Sequence, residues 1–226
     1  MSEPFKAPYQ DRREAGRELG QQLLAYKGRP DVIVLSVSRG GILVADGIAE
    51  VLEAPLDMFC IRTVGVPGYE GISMGTVARA KYLPKQDVIT HAGMSMQSFL
   101  AAASAEQKEL DRLEASYRNG RPALNLAGRT VIVVDEGLTA ESDLPDAIEA
   151  LHRHGVAEIV IAVPVTTPDL RDKVGKQAKE FVTSHTIDTA GGLEVWYEDA
   201  AEVDEKSVRA TLERAVERLA SEQKLA

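Results

Sequence analysis

Thr130-Val131-Ile132-Val133-Val134-Asp135-Glu136-Gly137-Leu138-Thr139 places five β-branched residues in succession before an acidic turn. Branching at Cβ stiffens a side chain and suits a pleated surface, and a run without polar alternation after Thr130 predicts a strand covered on both faces. Val32-Ile33-Val34-Leu35 upstream and Glu158 to Val165 downstream have the same character, and shorter runs at Leu56 to Arg62 and Phe181 to Thr186 add two more strands. Helical spacing lies between them. Ile42 to Leu52 shows it, as does Leu144 to about His154, where Leu144, Ala147, Ile148 and Leu151 share a side and Gly155 is the stop. Asp169 to Lys179 predicts another helix. Such alternation of strand and helix predicts an α/β fold with a mostly parallel, doubly wound sheet.

Further out, Asp11 to Tyr26 reads as an amphipathic helix on Ala15, Leu19, Leu23 and Leu24. Ser95 to Arg118 reads as a second, with Phe99, Ala103, Leu110, Leu113 and Tyr117 on one face and Asn119-Gly120 as its stop. Val64 to Gly71, rich in Gly and Pro, reads as a loop. Glu205 to Lys224 reads as a charged helix that packs through Val208, Leu212, Ala215, Val216 and Leu219.

With 226 residues, the chain suits one hydrophobic core with a small appendage, and 44% hydrophobic residues are enough to build it. A net charge of -9 argues against a broad surface for nucleic acid or anionic membrane, so an anionic ligand needs dedicated local donors. The single cysteine, Cys60, excludes an internal disulfide, and Met58-Phe59 and Ile61 around it describe a buried strand thiol. Charges run through residues 1–20, and no apolar run approaches a membrane span, so the expected compartment is the cytoplasm. His91, His152, His154 and His185 show no metal-ligand grouping.

In open parallel sheets, ligands bind where strands end and helices begin, because helix N-termini present unpaired N–H groups. Two turns qualify. Ser36-Val37-Ser38-Arg39-Gly40-Gly41 pairs glycines, which admit close backbone approach, with a permanently charged, planar Arg39. The second follows Val134. Either could be a tight turn and nothing more, and Ser142 or Asp143 could simply cap the next helix.

Ser38-Arg39-Gly40-Gly41 after one strand, with the Val131 to Thr139 segment after a later one, resembles the type I phosphoribosyltransferases. More closely, the chain is similar to a bacterial group of phosphoribosyltransferases of unassigned substrate. That similarity rests on Asp11-Arg12, Ala54-Pro55-Leu56-Asp57, Gly65-Val66-Pro67-Gly68 with Glu70, Met74-Gly75 and Trp196-Tyr197-Glu198-Asp199. The resemblance implies a single domain over 1–226, with a core at about 30–186 and a small hood from the terminal segments 1–29 and 187–226. It also implies transfer of ribose 5-phosphate from phosphoribosyl pyrophosphate to a nitrogen acceptor such as a nucleobase, with Mg2+ on the pyrophosphate and the ribose hydroxyls. The ligand is expected to be phosphoribosyl pyrophosphate or another phosphorylated small molecule, and a homodimer is one assembly that the sequence leaves open.

Carried onto this sequence, the resemblance makes Ser38, Arg39, Gly40, Gly41 and Arg62 the pyrophosphate site. Asp135, Glu136, Gly137, Leu138, Thr139, Ala140, Glu141, Ser142 and Asp143 become the ribose-phosphate loop. Arg39, Asp135 and Glu136 are the candidate catalytic residues, the two acids holding ribose hydroxyls or metal-bound water. Glu141 and Asp143 stand where the family has a glycine and a threonine, and Thr63 stands where a lysine commonly follows the arginine. Two carboxylates facing a phosphate repel it, so an alternative is a catalytically impaired ligand-binding or regulatory protein on the same fold.

Overall fold

A computed structural model describes residues 7–138, 142–188 and 192–225. Five strands, β1 (Val32–Ser36), β2 (Leu56–Met58), β6 (Thr130–Val134), β7 (Glu158–Thr166) and β8 (Glu180–Thr186), form one parallel sheet in the order β2-β1-β6-β7-β8. All five residues of β1 and of β6 are buried, as their unbroken apolar runs require. Val32 pairs with Thr130 and Ser36 with Val134, so the two central strands end level and their following turns emerge side by side. That register brings two distant segments of the chain together.

Helices cover both faces. α1 (Arg12–Gln22) starts on Asp11, whose side chain accepts the Glu14 N–H at 2.8 Å, and it stops four residues short of the helix expected to Tyr26. It lies on α2 (Gly41–Leu52), and the approach is so close that a Cβ on Gly16 would strike the backbone of Val44 and one on Gly47 the backbone of Arg13. Glycine lets the two helix backbones touch. α5 (Leu144–Arg153) and α6 (Pro168–Gly175) occupy the expected crossovers. α7 (Glu205–Leu225) buries Val208, Leu212 and Ala215 but leaves Val216 exposed.

The segment between β2 and β6 departs from the sequence expectation. Val64 to Gly71 is no loop, and the strand expected to run from Leu56 to Arg62 stops at Met58. β3 (Arg62–Val66), β4 (Tyr69–Ala78) and β5 (Lys81–Pro84) make a separate antiparallel sheet, followed by α3 (Gln86–His91) and α4 (Met96–Arg118). Pro67-Gly68 is its hairpin turn, with Gly68 at φ 80. Val64 and Val66 are buried while Thr63 and Gly65 are exposed, the alternation of a one-sided strand.

A buried ionic network fastens this sheet to the core. Asp57 on β2 accepts Arg79 Nη2 and Arg118 Nε, each at 2.9 Å, and Glu114 accepts Arg118 Nη1 at 2.7 Å. Both guanidiniums also donate to the Met58 carbonyl, at 2.6 and 2.8 Å. At the opposite end of the chain, the terminal segments meet: Tyr9 N–H donates to Trp196 O at 3.3 Å, and Glu198 and Asp199 donate back to Tyr9 and Gln10 at 2.9 and 2.8 Å. No described helix is long and apolar enough to cross a membrane.

Candidate functional site

The two level turns are stitched together. Val37 N–H donates to Val134 O at 3.1 Å, and Ser36 Oγ donates to Ser38 O at 2.8 Å. Ser38 Oγ accepts the Gly41 N–H at 3.0 Å while donating to Asp135 Oδ1 at 2.5 Å. Asp135 is 6% exposed and also accepts the Glu136 N–H at 2.8 Å and Ser142 Oγ at 2.9 Å. Burial pushes its carboxyl up to about 6, against the pull of those donors. Raised carboxyl groups held in a fixed hydrogen-bond frame are characteristic of working sites.

Glu136 turns the other way. Its Oε2 accepts Arg12 Nε at 2.7 Å, and a Cβ on Gly40 would fall inside its carboxylate, so the acid lies directly against the glycine turn. Arg12, 8% exposed, also donates to Ala201 O at 3.1 Å, and its guanidinium stacks 4.9 Å from the Tyr197 ring centre. Tyr197 donates its hydroxyl to Glu136 O at 2.5 Å, and burial raises its phenol far above the ordinary range. Both ends of the chain therefore close on the acidic turn.

Arg39 is half exposed, 3.8 Å from Glu202, and Arg62 pairs with Glu106 at 2.7 Å. The two arginines line a common cavity of about 360 Å³ together with Arg112, Tyr117, Cys60 and Asp143. Cys60 is buried, and its thiol is pushed up to about 12, which makes it a poor nucleophile. Asp143 precedes α5 without a side-chain capping bond, and burial, with Asp146 nearby, raises its carboxyl. Ser142 serves the helix start instead, accepting the Leu144 N–H at 3.2 Å. Gly137 and Leu138 continue the turn, whereas Thr139, Ala140 and Glu141 lie outside the described residues.

Sequence reasoning places neither Arg12 nor Tyr197 among the catalytic residues, although both stand in motifs that carry the resemblance. Arg12 is 124 residues from Glu136, and Tyr197 is 61 residues from it, so no local spacing could pair them.

The acids do not form a ligand set for Mg2+ as they stand. Asp135 has donors on both oxygens, Glu136 is tied to Arg12, and no group of three His, Cys, Asp or Glu among the described residues is placed to hold a metal. Mg2+ commonly keeps its waters and rides on substrate phosphates.

Residues 9–198 match the profile of the phosphoribosyl transferase domain. A provisionally named phosphoribosyl transferase of Mycobacterium tuberculosis is 29% identical over 208 residues, which cover 92% of this chain and 47% of the relative. The chain spans about half the length of the curated relatives it matches. The crystal structure of TT1426 from Thermus thermophilus is 29% identical and superposes with a TM-score of 0.78 over 90% of this chain and 97% of that one. A purine phosphoribosyltransferase from Pyrococcus horikoshii, 18% identical, aligns over 78% of this chain and 83% of its own with a TM-score of 0.44.

Proposed function

The chain belongs to the phosphoribosyl transferase family, and from that premise we propose that it transfers ribose 5-phosphate from phosphoribosyl pyrophosphate to a nitrogen acceptor such as a nucleobase. One observation carries this most: the Ser38–Gly41 turn and the Asp135 turn leave neighbouring strands at the same level and are joined by the Ser38–Asp135 hydrogen bond. The acceptor nitrogen forms a bond to ribose C1, the bond from C1 to the pyrophosphate oxygen breaks, and the nitrogen gives up its proton. Positive charge grows on the sugar and negative charge on the leaving group, so catalysis calls for placed charges rather than a nucleophilic side chain.

Ser38 and Gly40 receive the pyrophosphate on their backbone, the Gly41 N–H being held by Ser38 Oγ, with Arg39 and Arg62 lining the cavity to neutralise it. Asp135, fixed by three donors and ionised above about pH 6, accepts one ribose hydroxyl on the remaining position of Oδ2 and stabilises the cationic sugar. The 5′-phosphate falls to the loop of residues 137–143. Magnesium, a second copy as partner and a cytoplasmic location go with this assignment.

A second possibility is a ligand-binding or regulatory protein, favoured by Asp143 on the same cavity as Arg39 and by the Glu136 carboxylate against Gly40. Incubation with labelled phosphoribosyl pyrophosphate, Mg2+ and a panel of nucleobases separates the two. Release of labelled pyrophosphate that depends on the acceptor establishes the transferase, whereas saturable binding without release establishes the binding protein.

A further inference from the structure

Arg12 is a buried cation linked to the glycine turn through Glu136, and the transfer chemistry gives it no part. The guanidinium is inserted from the first residue of α1, fixed by Ala201 O on one side and by the Tyr197 ring beneath. The Glu136 carboxylate is in contact with both the guanidinium and Gly40. Gly40 is itself buried and opens α2, where the backbone dipole favours an anion. The protein thus already holds an anion at the turn, and that anion is its own side chain.

Resting on the transferase assignment, we propose that Arg12 is a further pyrophosphate-binding residue and that Glu136 is its resident counter-ion, displaced when the ligand's pyrophosphate arrives. A pyrophosphate oxygen in the place of the carboxylate oxygen takes over the Arg12 Nε hydrogen bond and the space over Gly40. The exchange leaves Arg12 paired throughout, which a cation this deeply buried requires. It also makes binding competitive with an internal group, so the free protein holds pyrophosphate more weakly than its donors would allow. The terminal segments contribute to the site through this arginine, since Tyr197 and Ala201 keep it in place.

The test uses inorganic pyrophosphate without Mg2+, measured by calorimetry and by thermal shift on the full chain. Glu136→Gln removes the competitor while keeping the shape, and pyrophosphate should bind at least about tenfold tighter than to the wild type. Its melting temperature should fall without ligand, because Arg12 loses its partner, and recover with pyrophosphate. The pair Arg12→Gln with Glu136→Gln should lose the gain. Glu136→Asp, which keeps the charge but withdraws it by one methylene, gives a second folded variant with a smaller gain. A loss of affinity in both Glu136 variants, or a gain that survives in the double variant, overturns the proposal. Acceptor-dependent turnover in the wild type with unchanged pyrophosphate affinity in Glu136→Gln sinks this proposal alone, and the reverse outcome sinks the transferase assignment alone.

Discussion

Asp135→Asn should stabilise the protein while removing its activity, and the gain should grow with pH. An ordinary aspartate titrates at 3.8, and burial holds Asp135 at about 6. Keeping it ionised at neutral pH therefore costs the fold on the order of 3 kcal/mol. The sign follows from proton counts. Between 3.8 and about 6 the folded state binds the proton more tightly than the unfolded chain, so the wild type loses this stability as pH rises through that window.

Asparagine fits the hydrogen bonds already present. Its oxygen can replace Oδ1 as acceptor for Ser38 Oγ and the Glu136 N–H, and its amide can donate to Ser142 Oγ, a hydroxyl able to reverse its role. The difference between variant and wild type should be near zero at pH 4, climb to about 2 to 3 kcal/mol by pH 7, and stay level above it. Urea unfolding followed by Trp196 fluorescence at several pH values measures it, and labelled pyrophosphate release measures activity. A variant that is destabilised at pH 8, or a difference flat across pH, refutes the burial of an ionised Asp135.

Arg39→Ala should weaken pyrophosphate binding about ten- to a hundredfold, the worth of one charge-assisted contact, yet leave unfolding within about 1 kcal/mol because its surface pairing is loose. Parallel calorimetry and urea titration check this, and a joint collapse of both would make the arginine structural. Wild-type protein with Mg2+ should bind phosphoribosyl pyrophosphate weakly, and Glu141→Gly combined with Asp143→Thr should tighten it by at least about tenfold by removing two repulsive charges. Tight wild-type binding in the same titration would show that these acids do not oppose the phosphate. Asp57→Ala should cost about 3 to 5 kcal/mol in urea unfolding, since it strands Arg79 and Arg118 inside the protein; a loss under about 1 kcal/mol would show that water or Glu114 replaces it.

The parallel sheet was legible because its strands hide both faces and so carry unbroken apolar runs, as Val131 to Val134 do. The antiparallel sheet was not. Its strands bury one face, and Gly65, Pro67, Gly68 and Gly71 interrupt the alternation of Val64 and Val66, so turn chemistry outweighed a short period-two signal. The Ser38 and Asp135 turns could be found because each sits where an apolar strand stops. Ser142, readable in the sequence as a cap, joins cap and carboxylate at once. Arg12 stayed hidden because a helix-terminal arginine after an N-cap aspartate looks like solvated charge until the fold brings Glu136 to it.

The meeting of Tyr9 with Trp196 and Tyr197 also bears on how the chain assembles as it is synthesised. The parallel sheet is complete once β8 has emerged, because β2, β1, β6, β7 and β8 pair only with one another. Arg12 is made first of the site residues but gains Tyr197 and Ala201 only after about 185 more residues have followed. Until then Glu136 has no Tyr197 hydroxyl on its carbonyl, and the guanidinium has no ring beneath it. A nascent chain halted at Thr186 would therefore carry a sheet without a finished site, and ligand-binding competence would arrive late and abruptly in translation.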